Sequence, residues 1–278
     1  MSKRDRVDAQ IMQNAIKTLL TNIKFSSIDG PTKSIVLTST IPNEGKSTIA
    51  VGLAQSIASS GKSVLLIECD MRRRSLANIL GVHASSGIYA VLSGQVQLND
   101  AAIATPVPGL YFLDSEPHIP NPVDIIGSKR FSKLVSTAET IYDYVVIDTP
   151  PVGTFVDAAM ASRAVDGTVL VVREKFTRRQ DAANAVEQLK KAGANILGVV
   201  MNYCENERSD HYYEYYNKPA SRNNVSAAAV SAGAQRGGQA GASAGMPLPA
   251  RRGTQASVQA PVQAPTQGAQ LTESRFRR

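Results

Sequence analysis

The sequence predicts an α/β protein with a mainly parallel sheet flanked by helices, followed by a disordered C-terminal tail. Short runs rich in β-branched residues alternate with segments of helical periodicity. The first of these runs leads through a tight turn into Gly45-Lys46-Ser47. From residue 217 onward the chain is built mainly of Ala, Gly, Ser, Gln and Pro. We therefore expect a folded domain at 1–205, a short segment at 206–216 and a disordered tail at 217–278.

The stretch from Ser34 to Ala58 has the pattern of a phosphate-binding P-loop, in which a strand, a glycine-containing loop and a helix follow one another. Such a loop cradles phosphate oxygens with backbone N–H groups and the positive end of the helix. The pattern predicts that Lys46 reaches the phosphates of ATP and that the hydroxyl of Ser47 ligates Mg²⁺. Thr40 stands where the common motif has its first glycine. The predicted nucleotide-binding residues are Asn43, Glu44, Gly45, Lys46, Ser47 and Thr48.

The remaining elements follow from the same periodicities. An amphipathic helix is expected at 6–26, with Met12, Ile16, Leu19 and Ile23 on one face. Residues 75–109 are expected to be irregularly helical, and residues 114–122 to form a stiff, extended loop because they contain three prolines. Further helices are predicted at 128–140 and 179–192, and further strands at 63–67, 110–113, 144–147, 168–172 and 196–201.

Carboxylates follow two of the predicted strands. Glu68 and Asp70 end one strand, and Asp148 ends the run from Tyr144, as in a Walker B motif. The carboxyl ends of parallel strands are where doubly wound sheets bind ligands, and the Walker B pattern predicts that Asp148 holds Mg²⁺. The alternative is ordinary local structure, a helix cap at Asp70 and a strand-end turn at Asp148.

Composition excludes several classes of protein. The apolar runs are too short to cross a membrane, and the first residues have no signal-peptide pattern. The two cysteines make no disulfide framework and have no metal-ligand spacing with the histidines. Of 30 Lys and Arg residues, eight lie beyond residue 216 with a single acid, so residues 1–216 carry no net charge. We expect a cytoplasmic protein with no specific nucleic-acid partner.

Four tyrosines lie within five residues near the predicted end of the folded domain: Tyr212, Tyr213, Tyr215 and Tyr216. Acidic residues surround them, and they lack both the spacing and the aliphatic neighbours of core tyrosines. Either they form an aromatic patch that packs on the domain or a neighbour, or they are phosphate acceptors that reach an active site.

Together these motifs resemble the bacterial tyrosine kinases, the P-loop type that controls capsular and exopolysaccharide synthesis, in its free-standing form. The resemblance spans roughly residues 9–216 and includes S-T-I-P-N-E-G-K-S-T, V-L-L-I-E-C-D-M-R-R, Y-D-Y-V-V-I-D-T-P-P-V and the tyrosine cluster. It implies that Lys46, Asp70 and Arg72 belong to the catalytic machinery, and that Ser47, Asp70 and Asp148 hold Mg²⁺. Glu68 aligns with the aspartate that activates the incoming tyrosine hydroxyl, so it keeps the carboxylate on a longer side chain.

The resemblance also implies partners. It predicts phosphorylation of the tyrosine cluster by a neighbouring copy, a transmembrane adaptor as activator, and a location at the inner face of the membrane through that adaptor. A protein-tyrosine phosphatase and a homo-oligomer are implied as well. The oligomerisation signature E-x-x-R-x-x-R aligns with Asn14, Lys17 and Leu20, so only one basic residue remains.

Two other functions share this loop. Partitioning ATPases carry an extra lysine where this chain has Ile41, and they lack the tyrosine cluster. A non-catalytic nucleotide-binding scaffold is the second alternative, because Thr40 and Glu68 both depart from the kinase pattern.

Overall fold

The computed structural model describes residues 3–26 and 30–204, and side chains from residue 6 onward. In the described part of the chain the strands are β1 (Ser34–Ser39), β2 (Val64–Glu68), β3 (Ile103–Ala104), β4 (Leu110–Leu113), β5 (Tyr144–Asp148), β6 (Gly167–Arg173) and β7 (Ile196–Asn202). The α-helices are α1 (Lys3–Ser26), α2 (Lys46–Ser59), α3 (Leu76–Leu80), α4 (Ile88–Ser93), α5 (Leu98–Ala101), α6 (Pro122–Ile126), α7 (Lys129–Ile141), α8 (Asp157–Ala161) and α9 (Arg179–Lys191).

The strands form one sheet in the order β3-β4-β2-β5-β1-β6-β7. Every pairing is parallel except that of β3 with β4. β1 lies in the interior of the sheet between β5 and β6, and its six residues are all buried. The predicted α/β class with a mainly parallel sheet is confirmed.

Helices cover both faces of the sheet. Successive strand residues point to opposite sides, so a strand of consecutive apolar residues presents apolar side chains on each face. On one face, α1 and α2 pack against alternate residues of β1 and its neighbours, such as Ile35 and Leu37. On the other face, α7 packs against Val36 and Val145, and α9 packs against Leu170. None of the described helices is long and apolar enough to cross a membrane.

The inner face of the N-terminal helix was predicted only in part. Ile16, Leu20 and Ile23 are buried, whereas Met12 is 38% exposed and Leu19 is only partly buried. The buried set is spaced by four and three residues, which keeps it on one stripe of the helix. Leu20, which replaces a basic residue of the oligomerisation signature, therefore packs in the core.

The secondary structure in the middle of the chain was predicted only in part. The third proline of the predicted stiff loop, Pro122, begins helix α6, a position that suits proline because its missing N–H has no partner there anyway. Helix α8 was not predicted. Three short helices and the two-residue strand β3 occupy the region predicted as irregularly helical. The tyrosine segment and the tail, 206–278, lie outside the described residues.

Candidate active site

The P-loop connects the carboxyl end of β1 to the amino end of α2. Asn43 and Gly45 adopt left-handed backbone conformations, with φ of 69° and 86°. Thr40 is not among the described residues with positive φ, so the backbone does not require a glycine there. No side chain caps the amino end of α2, which leaves its first N–H groups directed at the loop. The local geometry is that of an anion-binding loop.

Lys46 brings the predicted site residues together. Its ammonium nitrogen lies 2.8 Å from Asp148 Oδ1, 3.2 Å from the Ser47 hydroxyl and 3.7 Å from Asp70 Oδ2. The Ser47 hydroxyl donates to Asp148 Oδ2 at 2.7 Å. Parallel pairing of β2 and β5 sets Glu68 opposite Asp148 in register and so brings the two acidic strand ends side by side. The structure therefore gathers Lys46, Ser47, Asp70 and Asp148 at one end of the sheet.

These four residues fit a magnesium–nucleotide complex by their chemistry. Mg²⁺ is usually held by one or two carboxylates together with substrate phosphates and water. The described residues contain no group of three or more His, Cys, Asp or Glu side chains that could hold a metal by themselves. A hydroxyl and two carboxylates beside a lysine match a site that nucleotide oxygens complete.

Glu68 has different partners from Asp70. It is fully buried, and its carboxylate accepts hydrogen bonds from the backbone N–H groups of Asp70, Ser75 and Leu76, at 3.2, 2.8 and 3.0 Å. Glu68 does not line the cavity at the P-loop, whereas Asp70 does. Glu68 thus holds the 69–76 loop in place, and its role as a catalytic base stays a prediction.

Burial dominates the electrostatics of these carboxylates. It raises the pKa of Glu68 to about 8, and the charge of Asp148 raises this pKa further. Hydrogen bonds from the N–H groups of Leu76 and Ser75 lower the pKa and so oppose the shift. Burial also raises the pKa of Asp70, and the Lys46 ammonium opposes that shift. The Lys46 ammonium therefore compensates the buried negative charges of Asp70 and Asp148.

The predicted residue Arg72 is fixed at the rim of the site. Its guanidinium lies 3.4 Å from the buried carboxylate of Asp157 and 4.2 Å from the centre of the Phe155 ring. Both partners follow the Walker B strand, at the start of α8, and the sequence analysis missed them. The one sequence signal for a helix start there is Asp157 itself, because acidic residues are common in the first turn of a helix.

Glu44, Thr177 and Asn202 support the P-loop through hydrogen bonds that the sequence analysis did not predict. Glu44, predicted only as a nucleotide contact, is buried and accepts from the N–H groups of Thr40 and Ile41 at 2.6 and 3.0 Å. Its other oxygen accepts from the Thr177 hydroxyl. The Asn202 amide, at the end of β7, donates to the Glu44 carbonyl at 2.9 Å.

Gly45 is required by this support. A Cβ at Gly45 would clash with the side-chain amide of Asn202 and approach the Tyr203 ring at 3.3 Å. The Arg173 guanidinium stacks 4.2 Å above the Tyr203 ring and lies 3.4 Å from the carbonyl oxygen of Asn43. The last described strand and the P-loop are therefore in direct contact.

The site opens into a cavity of about 270 Å³. Its lining combines the P-loop residues 42–48 with Asp70, Arg72, Arg73 and Phe155. A larger, mainly apolar cavity of about 730 Å³ lies between α9 and strands β6 and β7, and neither Asp70 nor Asp148 lines it. The chemistry therefore points to the smaller cavity.

Comparisons with known proteins agree with this geometry. The AAA domain family matches residues 32–196. Tyrosine-protein kinase YwqD of Bacillus subtilis is 36% identical over 202 residues, which cover 73% of this chain and 85% of that protein. Tyrosine-protein kinase CpsD of Streptococcus agalactiae is 34% identical over 226 residues, which cover 78% and 96%. This chain belongs to the bacterial tyrosine kinases.

Solved structures give the same result for the kinase. The chimerical protein CapA2B2 superposes with a TM-score of 0.65 at 34% identity, covering 68% of this chain and 83% of the other. The septum site-determining protein MinD of Pyrococcus horikoshii, complexed with Mg-ADP, is more distant, with a TM-score of 0.54 and 25% identity over 61% and 70%. The kinase thus has a P-loop NTPase fold, and its enzyme class is protein-tyrosine kinase.

Proposed function

We propose that this kinase transfers the γ-phosphoryl group of MgATP to its own C-terminal tyrosines, Tyr212, Tyr213, Tyr215 and Tyr216, in trans between copies. The observation that carries the proposal is the cluster of Lys46, Ser47, Asp70 and Asp148 at the mouth of the P-loop. The acceptor tyrosines lie outside the described residues, and their part in the proposal rests on the sequence.

The roles of the site residues follow from charge and position. The N–H groups of residues 43–48 and the Lys46 ammonium bind and orient the phosphates. Ser47, Asp70 and Asp148 hold Mg²⁺, which supplies positive charge to the transferring group. Arg72 stays at the rim through Asp157 and Phe155, where it fixes one wall of the cavity.

In the transfer itself, the tyrosine oxygen bonds to the γ-phosphorus while the bond to the bridging oxygen breaks, and ADP leaves. The proton of the hydroxyl has to reach a carboxylate, because a tyrosine hydroxyl titrates near pH 10. Asp70 already lines the cavity, whereas Glu68 would first have to leave three backbone N–H groups. We propose the Asp70 oxygen that does not ligate Mg²⁺ as the nearer proton acceptor, with Glu68 as the residue that positions its loop.

The biological role is proposed from the relatives. CpsD and CapB, the latter named a putative tyrosine-protein kinase of Staphylococcus aureus, carry names that suggest capsule synthesis. We propose that phosphorylation of the tyrosine cluster regulates the synthesis or export of a capsular or extracellular polysaccharide. A transmembrane adaptor would activate the kinase and hold it at the inner membrane face, a phosphatase would reset it, and copies would associate during transfer.

Phosphotyrosine mapping by mass spectrometry tests the proposal. The full chain is incubated with MgATP, with and without the cytoplasmic segment of its adaptor, beside Lys46→Met. To test transfer in trans, Lys46→Met with intact tyrosines is mixed with an active chain in which all four cluster tyrosines are phenylalanine. Phosphate on the inactive partner is expected.

The other outcomes separate the alternatives. Absence of phosphotyrosine with nucleotide still bound would favour the scaffold. Steady ATP hydrolysis without phosphotyrosine would favour the partitioning-type ATPase.

A further inference from the structure

Three consecutive arginines follow the acidic end of β2, and two of them are neutralised. Arg72 pairs with Asp157 at 3.4 Å, and Arg74 pairs with Asp114 at 2.6 Å. Arg73, by contrast, has no carboxylate within ion-pair distance among the described residues. Its backbone N–H donates to Asp70 at 3.0 Å, which fixes the position of the residue while its side chain stays exposed. Among the described cations that line the cavity, Arg73 is therefore the one without a carboxylate partner.

Arg73 lines the same cavity as Lys46 and Asp70. It is exposed, whereas Lys46 is 7% exposed and lies at the bottom with the P-loop. Arg73 is thus both exposed and part of the cavity lining, so a group bound in the outer part of the cavity can contact it. The phosphates already have Lys46 and the loop N–H groups as partners, so the charge of Arg73 is available for the second substrate.

The tyrosine segment has the complementary charge. Asp210 lies two residues before Tyr212, and Glu214 lies between Tyr213 and Tyr215. Residues 205–219 contain four acidic and two basic side chains, whereas the remainder of the tail is basic. A carboxylate two positions or fewer from the acceptor tyrosine is close enough in sequence to meet a guanidinium at the cavity rim.

We propose that Arg73 makes this kinase selective for tyrosines flanked by acidic residues, by pairing with the carboxylate of Asp210 or Glu214 in the segment presented to the site. The inference rests on the proposed phosphorylation of that segment, and it adds the substrate class and the residue that recognises it. A guanidinium binds a carboxylate with two parallel hydrogen bonds, so the pair also orients the peptide.

The test uses peptides as the second substrate. The enzyme is the full chain with its four cluster tyrosines changed to phenylalanine, activated as above. One peptide has the sequence of residues 205–219, and a second differs only by Asp210→Asn and Glu214→Gln. For the unaltered site we expect a KM about fivefold higher for the neutral peptide, the upper range for an exposed ion pair, with kcat unchanged. The difference should shrink as salt is raised.

A charge reversal makes the test specific. Arg73→Glu should raise the KM of the acidic peptide about tenfold, more than it raises the KM of ATP, and should regain activity on a peptide with Asp210→Lys and Glu214→Lys. Lys133→Glu on α7 is the matched control, since Lys133 is exposed and does not line this cavity. It changes the net charge equally and should leave the peptide preference intact.

Each other outcome is decisive. Equal kcat/KM for acidic and neutral peptides would overturn the role of Arg73 while leaving the kinase proposal in place. A KM for ATP raised as much as the KM of the acidic peptide in Arg73→Glu would assign the residue to the nucleotide instead. Failure to phosphorylate any peptide, with nucleotide bound, would count against the proposed function itself.

Discussion

Glu68 offers the sharpest test of how the site works, through the substitution Glu68→Gln. The side-chain shape is kept, but above pH 8, where a carboxyl with a pKa of about 8 is ionised, one acceptor oxygen becomes an NH₂ donor. In the protein, one oxygen accepts from Asp70 N–H and the other accepts from the N–H groups of Ser75 and Leu76. Whichever way the new amide is turned, at least one buried N–H loses its acceptor and faces another donor.

The magnitude follows from that count. A buried donor left without an acceptor costs about 1–3 kcal/mol. For a domain of this size, each kcal/mol lowers Tm by about 2–4 °C, so we expect a decrease of about 2–12 °C. Since Asp70 lies on the loop that Glu68 holds, the KM for MgATP should rise, while kcat should fall by less than about tenfold.

The assay pairs thermal unfolding with initial rates of peptide phosphorylation at varied MgATP. Glu68→Asp is the informative companion, because it keeps a carboxylate but shortens the side chain by about 1.5 Å. If Glu68 positions the loop, Glu68→Asp also lowers Tm. A kcat reduced by about a hundredfold or more in Glu68→Gln, with unchanged Tm and near-normal activity of Glu68→Asp, would refute this reasoning and make Glu68 the base.

Three further outcomes are expected. Gly45→Ala should weaken nucleotide binding severely, because a Cβ there clashes with Asn202, and a fluorescence titration measures this loss. Gly61 has a similar φ, and a Cβ there would meet no atom within 4 Å, so Gly61→Ala should only lower Tm through a backbone strain of about 1 kcal/mol. Asn202→Ala removes the hydrogen bond to the P-loop and should weaken nucleotide affinity about fivefold, and an unchanged affinity would show that the loop is rigid without it. The N–H of Ser63 lowers the pKa of Asp143 to about 2, below the ordinary value of about 3.9, so its stabilisation is present above about pH 4 and disappears as the pH falls towards 2. The gap in urea midpoint between the unaltered protein and Asp143→Asn should close over that range, and a constant gap would contradict it.

The sequence was sufficient for six of the seven described strands because these strands are strongly patterned, whereas the two-residue strand β3 was missed. The buried runs at 35–38 and 144–147 consist of β-branched, aromatic and aliphatic residues, which is typical of strands buried on both faces of a parallel sheet. The short helices α6 and α8, of five residues each, have too few turns for a periodic signal. Their positions depend on packing.

The candidate site was predictable to the same extent. Lys46, Ser47 and Asp148 come together because adjacent parallel strands place their carboxyl ends at one edge of the sheet. The orientation of Glu68 was not predictable from the sequence. The alternation of side chains along a strand does not indicate that the loop after β2 folds back and donates three N–H groups to this carboxylate. Nor was the contact of Asn202 with Glu44, which joins residues 158 positions apart.

That long-range contact bears on the order in which the protein is made. The P-loop is synthesised well before Asn202 and Tyr203, which contact it and lie at the end of β7, the last described strand of the sheet. We expect a nascent chain to bind ATP poorly until β7 has emerged from the ribosome, which a series of arrested chains ending before and after residue 203 would measure. A kinase with this arrangement would acquire its catalytic competence late in its own translation, shortly before the tyrosines proposed as its acceptors are made.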